Sequence, residues 1–421
     1  MDVWVAGLVF VVTYAIIATD RLDKTVAALL GGVVMVVLGV IDQEEAFAAI
    51  DFNVIFLLAG MMAMAGVLAR TGFFQWLAIR SVKATRGDPF RLLLVLATIT
   101  AVLSAFLDNV TTVVLIAPVT LYIATVLRVS PMPFLITEIA ASNIGGTATL
   151  IGDPPNILIA SAARIDFVTF IAHLGPPAVV IFLAYMVAVR IMFKGALEVH
   201  DDVRESVLAL DEREVLTDTP LLRISLVILA ATIVAFLVHG LFGLEPATIA
   251  LLGATVLMIA GRLDSEEVLA AVEWRTLFFF IGLFMLVEGI VHVGIIAAIT
   301  EGMLSATGGD QSITTLGLLW LSGLASAIVD NIPYTATAIP IVAQMGGAGL
   351  DTGPLWWALA LGADLGGNAT IVGASANVVV ASLAARAGHP ITFREYLPYG
   401  VAGTLVALPI STVYVWLRYL T

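Results

Sequence analysis

The feature that most constrains this chain is a series of apolar segments, each close to the length that crosses the hydrocarbon core of a bilayer. They cover residues 3–19, 25–41, 53–70, 167–193, 222–243, 246–261, 276–298 and 396–418. None alternates apolar and polar residues as a barrel strand does. A helix, by contrast, satisfies its own backbone hydrogen bonds in lipid. With 60% hydrophobic and only 12% charged residues, the segments predict an all-α polytopic membrane protein.

The basic residues indicate how the chain is oriented. We count one crossing for each apolar segment, one for 132–164 and one for 354–383, and none for 91–127 and 313–345. With the N-terminus outside, all but two of the 19 lysines and arginines then fall on the cytoplasmic side. The exceptions are Arg164 and Arg418. This bias follows the positive-inside rule and predicts a multi-pass protein of the inner (plasma) membrane with its N-terminus outside.

The chain contains an internal repeat. A shift of about 222 residues aligns ALLGGVVMVVLGVIDQEEAFAAI (28–50) with ALLGATVLMIAGRLDSEEVLAAV (250–272), with 11 identities in 23 pairs. The register continues to SAFLDN (104–109) on SAIVDN (326–331). After a slip of one residue, SNIGGTATLIGDPPNILIAS (142–161) aligns with ADLGGNATIVGASANVVVAS (363–382).

The repeat predicts the domain organisation. Each half holds five crossings, or about 10 transmembrane helices in all, and because five is odd the halves lie in opposite orientations. Inverted repeats are typical of secondary transporters, in which the substrate sits near the midplane where the repeats meet. We predict a first inverted repeat over 1–194, a cytoplasmic linker over 195–221 and a second inverted repeat over 222–421.

Two kinds of polar interruption recur in both halves. In 91–127 and 313–345, apolar arms flank an Asp-Asn pair, which predicts two re-entrant hairpins whose tips reach the midplane. In 142–161 and 363–382, glycines and prolines predict helices that are broken at the midplane. Such backbone is tolerated at membrane depth only when it is buried in protein or lines a cavity. The expected backbone breaks are at Gly145, Gly146, Gly152, Gly366, Gly367 and Gly373.

Four aspartates lie in these interruptions and are candidates for proton coupling. A carboxylate at the bilayer centre is costly unless it faces a cavity or a partner, so Asp108 and Asp330 at the hairpin tips are expected to lie on an ion or substrate path. Each can equally cap the second arm of its hairpin, and the two roles can coexist. Asp153 and Asp364 have no acidic mate in the other repeat, so either can carry the coupling proton.

Amide side chains are the best candidates for contact with a transported solute. Asn156 and Asn377 are repeat-related and stand where each helix should be broken, and a buried amide needs partners. The chain has no cysteine, which excludes thiolate metal sites. We predict no metal site, no cofactor and no nucleic-acid partner. No nucleotide-binding loop is present, so drive by ATP would need a separate ATPase subunit.

These motifs resemble a known family. The paired LDN and VDN tips, with NIGGTATLIGDPPN and DLGGNATIVGASANVV, are similar to the ion transporter superfamily, in particular the branch of the arsenite permeases and the pigmentation P-protein permeases. The resemblance covers essentially the whole chain. Dicarboxylate members carry Ser-Asn-Thr at the equivalent tips, whereas this chain has Asp-Asn. The added carboxylates would repel a dicarboxylate.

The resemblance implies a fold, a mechanism and a site. It implies a scaffold part and a mobile part in each repeat, elevator-like alternating access, and commonly a homodimer. The implied site lies between the hairpin tips and the helix breaks. In this chain those positions are Asp108, Asn109, Thr111, Asn156, Asp330, Asn331, Thr335, Asn368, Thr370 and Asn377.

The resemblance and the site chemistry together suggest the substrate. Arsenite or antimonite export in exchange for protons fits, because neutral arsenous acid is a triol that amides and hydroxyls can bind without ionic desolvation. A sodium/proton antiporter would use the same oxygens as hard cation ligands. A proteolytic pair of intramembrane aspartates is a more distant alternative. It lacks the GxGD-type context around Asp108 and Asp330, so we expect a transporter and not an enzyme.

Overall fold

The computed structural model describes residues 2–19, 22–193, 195, 212 and 215–421. Most of the predicted linker 195–221 therefore lies outside the described residues. The first half contains ten helices, α1 to α10: Asp2–Thr19, Lys24–Val37, Gln43–Ala48, Phe52–Arg70, Phe73–Ala84, Pro89–Leu107, Asn109–Leu127, Met132–Thr147, Pro154–Ala163 and Phe167–Met192.

The second half repeats this order in α11 to α20. These helices are Thr219–Val238, Pro246–Gly261, Ser265–Leu269, Trp274–His292, Ile295–Thr307, Gln311–Ile328, Asn331–Gly347, Thr352–Gly366, Ser375–Arg386 and Phe393–Val415. Short 3₁₀ turns cover His239–Phe242, Gly367–Ala369 and Ile371–Gly373, and a π-helical turn covers Trp416–Leu420. The described residues include no strand, which confirms the all-α prediction. Nine of their helical segments are long and apolar enough to cross a membrane.

The two halves cross each other through matching helices. Helix α2 packs against α14, and its counterpart α12 packs against α4. Glycines allow both crossings: a Cβ at Gly60 would lie 2.7 Å from the backbone carbon of Ala250, and one at Gly282 would lie 2.5 Å from that of Ala28. Gly60 aligns with Gly282 and Ala28 with Ala250 in the repeat. The contacts are thus related by the same approximate symmetry as the sequence.

The predicted hairpins and breaks are both present. Helices α6 and α7 meet at Asp108, and α16 and α17 are separated only by residues 329 and 330. Helices α8 and α9 are one broken span that unwinds between Thr147 and Pro154. Helices α18 and α19 break in the same way between Gly366 and Ser375. Each first hairpin arm packs against the helix before the break, α6 on α8 and α16 on α18.

The described end of the linker contacts the first half. Glu212 accepts a hydrogen bond from Arg80 on α5 at 2.8 Å and lies 3.5 Å from the ammonium of Lys83. The hydrogen bond from Arg80 lowers the pKa of Glu212 below its ordinary value. Such exposed pairs are weak, so this contact adds little to the stability of the fold.

Candidate functional site

The aspartates at the hairpin tips cap the second arm of each hairpin. Asp108 accepts hydrogen bonds from the backbone N–H groups of Val110 and Thr111 at 2.9 and 3.0 Å. Asp330 accepts one from Ile332 at 3.2 Å. Both carboxyl groups are buried. Capping consumes only one oxygen of Asp108, and its Oδ2 has no partner among the described residues.

The two tips meet at Asp153, in the break between α8 and α9. Asn109 donates to Asp153 Oδ2 at 2.7 Å, and Asn331 donates to both oxygens of Asp153 at 3.3 and 3.4 Å. The two asparagines come from opposite hairpins, 222 residues apart by the repeat register. A shared contact inside the protein means that both hairpins turn back at the centre, as re-entrant hairpins do. Asp153 is therefore the centre of the candidate site.

Asn156 and Asn377 hold the unwound backbone of the two breaks. Asn156 donates to the carbonyls of Gly146 and Thr149 at 3.1 and 3.2 Å. Asn377 donates to those of Gly367 and Thr370, both at 2.8 Å. Unpaired carbonyls are costly in the membrane interior, and each amide supplies two carbonyls with donors. Both side chains are fully buried.

The repeats differ where α8 and α18 face each other. Asn143 on α8 donates to Asn368 Oδ1 at 2.8 Å and to Asn377 Oδ1 at 3.0 Å, and its own Oδ1 accepts from Asn109 at 3.0 Å. The equivalent residue on α18 is Asp364. Asp364 is fully buried, and neither of its oxygens has a hydrogen-bond partner among the described residues.

The other predicted site residues surround this centre. Thr335 is buried, and its hydroxyl has no hydrogen-bond partner in the described part of the chain. Thr370 donates to the Ala327 carbonyl at 2.6 Å and so connects the second break to its hairpin. Thr111 is half-buried in the first turn of α7. At the predicted glycines a side chain would meet neighbouring backbone: Gly145 meets Ala101, Gly366 meets Gly323, Gly146 and Gly152 meet each other, and so do Gly367 and Gly373.

Lys24 is a site residue that the sequence analysis missed. Its ammonium lies 3.0 Å from Asp330 Oδ2 and 2.6 Å from Ser375 Oγ, and Ser375 also donates to Asp330 at 2.5 Å. Lys24 begins α2, and its repeat mate is Pro246. The sequence did contain a signal for Lys24. It is a basic residue at the start of an apolar helix, and the repeat has no basic residue at the equivalent position.

Two repeat-related cavities of unequal size flank the centre. The larger, of about 720 Å³, is lined by Lys24, Asp108, Glu273 and Val379, among others. The smaller, of about 200 Å³, is lined by Asp51, Leu158 and Phe284, among other residues of both halves. Asp51 aligns with Glu273 and Leu158 with Val379 in the repeat. One approximate symmetry therefore relates two cavities that differ in volume.

Comparison with known sequences gives matches along the whole chain. A family model described as citrate transporter matches residues 14–362. A 46 kDa membrane protein of Mycobacterium leprae is 44% identical over 423 residues, covering 99% of both chains. An uncharacterized transporter of Mycobacterium tuberculosis is 44% identical and covers 99% of this chain and 98% of its own. The human P protein is 32% identical over 498 residues, which cover 98% of this chain and 59% of that protein.

Comparison with solved structures gives a match in fold. The Alcanivorax borkumensis YdaH transporter superposes with a TM-score of 0.57, covering 99% of this chain and 98% of that one. Its sequence is 16% identical, so this similarity concerns the fold alone.

Proposed function

Because this chain belongs to the citrate transporter family of the ion transporter superfamily, we propose that it is a secondary transporter that exports arsenite or antimonite in exchange for protons. The human P protein is among its relatives, in agreement with the resemblance to the P-protein branch. The observation that carries the proposal is the buried centre where both hairpin tips contact Asp153. Charged groups at membrane depth are costly and by default functional.

The charges of the centre argue against citrate, although the family model carries that name. Asp108, Asp153, Asp330 and Asp364 are all buried around the tips and breaks. Lys24 contacts this group, and its ammonium is already paired with Asp330. An anion with several carboxylates would meet like charges at short range in a medium of low dielectric constant. A neutral or cationic solute avoids that cost.

The unpaired atoms of the centre favour a neutral polyhydroxyl solute. Asp108 Oδ2, Asn109 Oδ1 and Thr335 Oγ1 are buried without hydrogen-bond partners among the residues that the structure describes, and each can accept a hydrogen bond. Arsenous acid has three hydroxyl groups and carries no net charge, so it can donate to these oxygens without ionic desolvation. Oxygen-only ligands release their load more readily than thiolates, as an exporter requires. Sodium ions would use the same oxygens as hard ligands.

The unequal cavities support alternating access. Two pairs of helices, α2 with α14 and α4 with α12, cross between the halves. This arrangement suits a fixed scaffold. The hairpins and broken helices then form the moving part, and the 720 and 200 Å³ cavities lie where the two parts meet. Movement of that part would exchange the large cavity for the small one. By the distribution of basic residues, we place the larger cavity on the cytoplasmic side and the protein in the plasma membrane.

Uptake into everted membrane vesicles tests the proposal. With an imposed proton gradient, vesicles that contain the protein should accumulate arsenite in the absence of sodium, and vesicles without it should not. An ionophore that collapses the gradient should abolish the accumulation. Accumulation of sodium alone would replace the proposal with sodium/proton antiport. Movement of neither solute would refute both.

A further inference from the structure

The repeat-related residues Asn143 and Asp364 differ in the hydrogen bonds that they can donate. Asn143 uses both amide hydrogens, one on Asn368 Oδ1 and one on Asn377 Oδ1. The repeat equivalents of those two acceptors are Thr147 and Asn156, and these are the side chains beside the Asp364 carboxyl group. Asp364 therefore occupies the position that corresponds to Asn143, whose side-chain amide donates two hydrogen bonds. An ionised carboxylate has no hydrogen to donate.

The two side chains beside Asp364 already donate their hydrogens to backbone carbonyls. Asn156 spends its amide hydrogens on the carbonyls of Gly146 and Thr149. Thr147 donates its hydroxyl hydrogen to the Asn143 carbonyl at 2.8 Å. Within the described part of the chain, Asn156 Oδ1 and both oxygens of Asp364 are buried and have no hydrogen-bond partner. A single proton on Asp364, donated to Asn156 Oδ1, supplies both groups with a bond that they otherwise lack.

The surrounding charges favour the proton on Asp364. Asp153 is the carboxyl group that interacts with Asp364 through space. It accepts hydrogen bonds from Asn109 and Asn331, and such bonds stabilise the ionised form. Two buried carboxylates in one site cannot both be ionised cheaply, and Asp364 is the one without donors. The elements packed against α18 carry or adjoin these other ionisable groups: Glu138, His173, Tyr185, Arg190, Asp330, Tyr334, Arg394, Glu395, Tyr396, Tyr399 and Tyr414.

We propose that Asp364 binds a proton and donates it to Asn156 Oδ1, and that this is the proton exchanged for the solute. The second part rests on the proposed function. Asp330 is balanced by Lys24, Glu138 accepts from Thr120 at 2.6 Å and Tyr396 donates to the Asn368 carbonyl at 2.9 Å. Asp364 differs from them because it joins the second broken helix to the first. If Asp364 lost its proton, Asn156 Oδ1 would face a carboxylate with no hydrogen between them. The repulsion between these oxygens would push the two breaks apart.

Infrared spectroscopy of the purified protein in lipid tests proton binding without any transport. The spectrum of the wild type minus that of Asp364→Asn at neutral pH should contain the C=O stretching band of a protonated carboxylic acid, shifted in D₂O. The double variant Asn143→Asp with Asp364→Asn moves the acid to the other repeat, where it can donate to Asn377, and should restore the band. A difference spectrum with only ionised carboxylate bands overturns the proposal.

Transport tests the coupling role separately. Asp364→Asn keeps a hydrogen-bond donor at this position, as Asn143 does in the other repeat. We expect arsenite accumulation driven by a pH gradient to be lost, while counterflow at equal pH on both sides remains detectable. Accumulation equal to that of the wild type would make the Asp364 proton structural and overturn the coupling role. If the wild type moves no arsenite, the proposed function fails while the infrared result still decides whether Asp364 is protonated.

Discussion

Four aspartates of the same buried centre have four different sets of partners. Asp108 receives two backbone N–H groups, Asp330 receives Lys24 and Ser375, and Asp153 receives two amides from opposite hairpins. Asp364 receives none among the described residues. Because hydrogen bonds to the charged form stabilise it, these partners set which carboxyl group holds a proton. At the scale of the residue, the hydrogen-bond partners and not the residue type separate the roles.

Removal of either break asparagine should stop transport while the protein still folds. In Asn156→Ala or Asn377→Ala, two backbone carbonyls lose their donors, a cost of about 1–3 kcal/mol for each unsatisfied group. Each variant also leaves a donor on the facing helix without its acceptor, Asn143 in Asn377→Ala and the protonated Asp364 proposed above in Asn156→Ala, so we expect similar losses of thermal stability in the two variants. Vesicle uptake and thermal unfolding measure the two effects. Asn53→Ala, an amide outside the site, is the control, and wild-type uptake in both variants would refute the assigned site.

Asp108→Asn separates capping from proton exchange at the first tip. Asp108 has φ 79° and ψ 151°, a backbone conformation that is strained for any side chain, so asparagine bears the same strain that aspartate already bears, and its amide oxygen can still cap α7. The variant should fold, and the pH dependence of uptake should change, because the unpaired Oδ2 is replaced by a group that does not titrate. Uptake measured over a range of pH shows the effect. A pH profile identical to that of the wild type would mean that Asp108 only caps α7 and does not exchange protons.

At the scale of the element, the sequence predicts most of what forms the site. The Asp-Asn pairs and the glycine clusters, each seen twice, and the two prolines of the first break place both tips and both breaks, because local backbone chemistry determines where a helix ends. The sequence did not identify Lys24, since its contact with Asp330 spans 306 residues and joins α2 to the second hairpin. It also left Asp153 and Asp364 with the same predicted role. Their partners come from other elements, which the pattern within one segment does not reveal.

The contact of Lys24 joins the proposed scaffold to the proposed moving part. Lys24→Met leaves the buried Asp330 carboxylate without its cation. We expect a loss of about 1–3 kcal/mol, less than for a fully buried pair because Lys24 is partly exposed. Thermal unfolding measures it, and the double variant Lys24→Met with Asp330→Asn should recover most of the loss. Lys83→Met, which removes a lysine of α5 outside the site, is the control. Equal stability of the single and double variants would mean that the Lys24–Asp330 ion pair contributes nothing measurable to the free energy of unfolding.

At the scale of the whole molecule, the repeat matters because the structure departs from it. Contacts at Gly60 and Gly282 match across the halves, yet the cavities beside the centre measure about 720 and 200 Å³. Two states related by exchange of the halves would have equal energy if the sequence repeat were perfect. Lys24 and Asp364 break that equality, since their repeat mates are Pro246 and Asn143. On the proposed mechanism, these two differences between the repeats would bias which cavity is open and make that bias sensitive to the proton proposed on Asp364.

Single cysteines in the two cavities test whether that exchange occurs. The chain has no cysteine, so each variant reports from one position. Val379 lines the large cavity and its repeat mate Leu158 the small one, which makes Val379→Cys and Leu158→Cys a matched pair. A membrane-impermeant thiol reagent should label Cys at 379 from the cytoplasmic side and spare Cys at 158 from the outside. Under a proton gradient with arsenite present, labelling at 158 should rise and labelling at 379 should fall, because the moving part then spends time in the opposite state. Labelling that stays constant at both positions under transport conditions would mean that the cavities are fixed features and that access does not alternate through them.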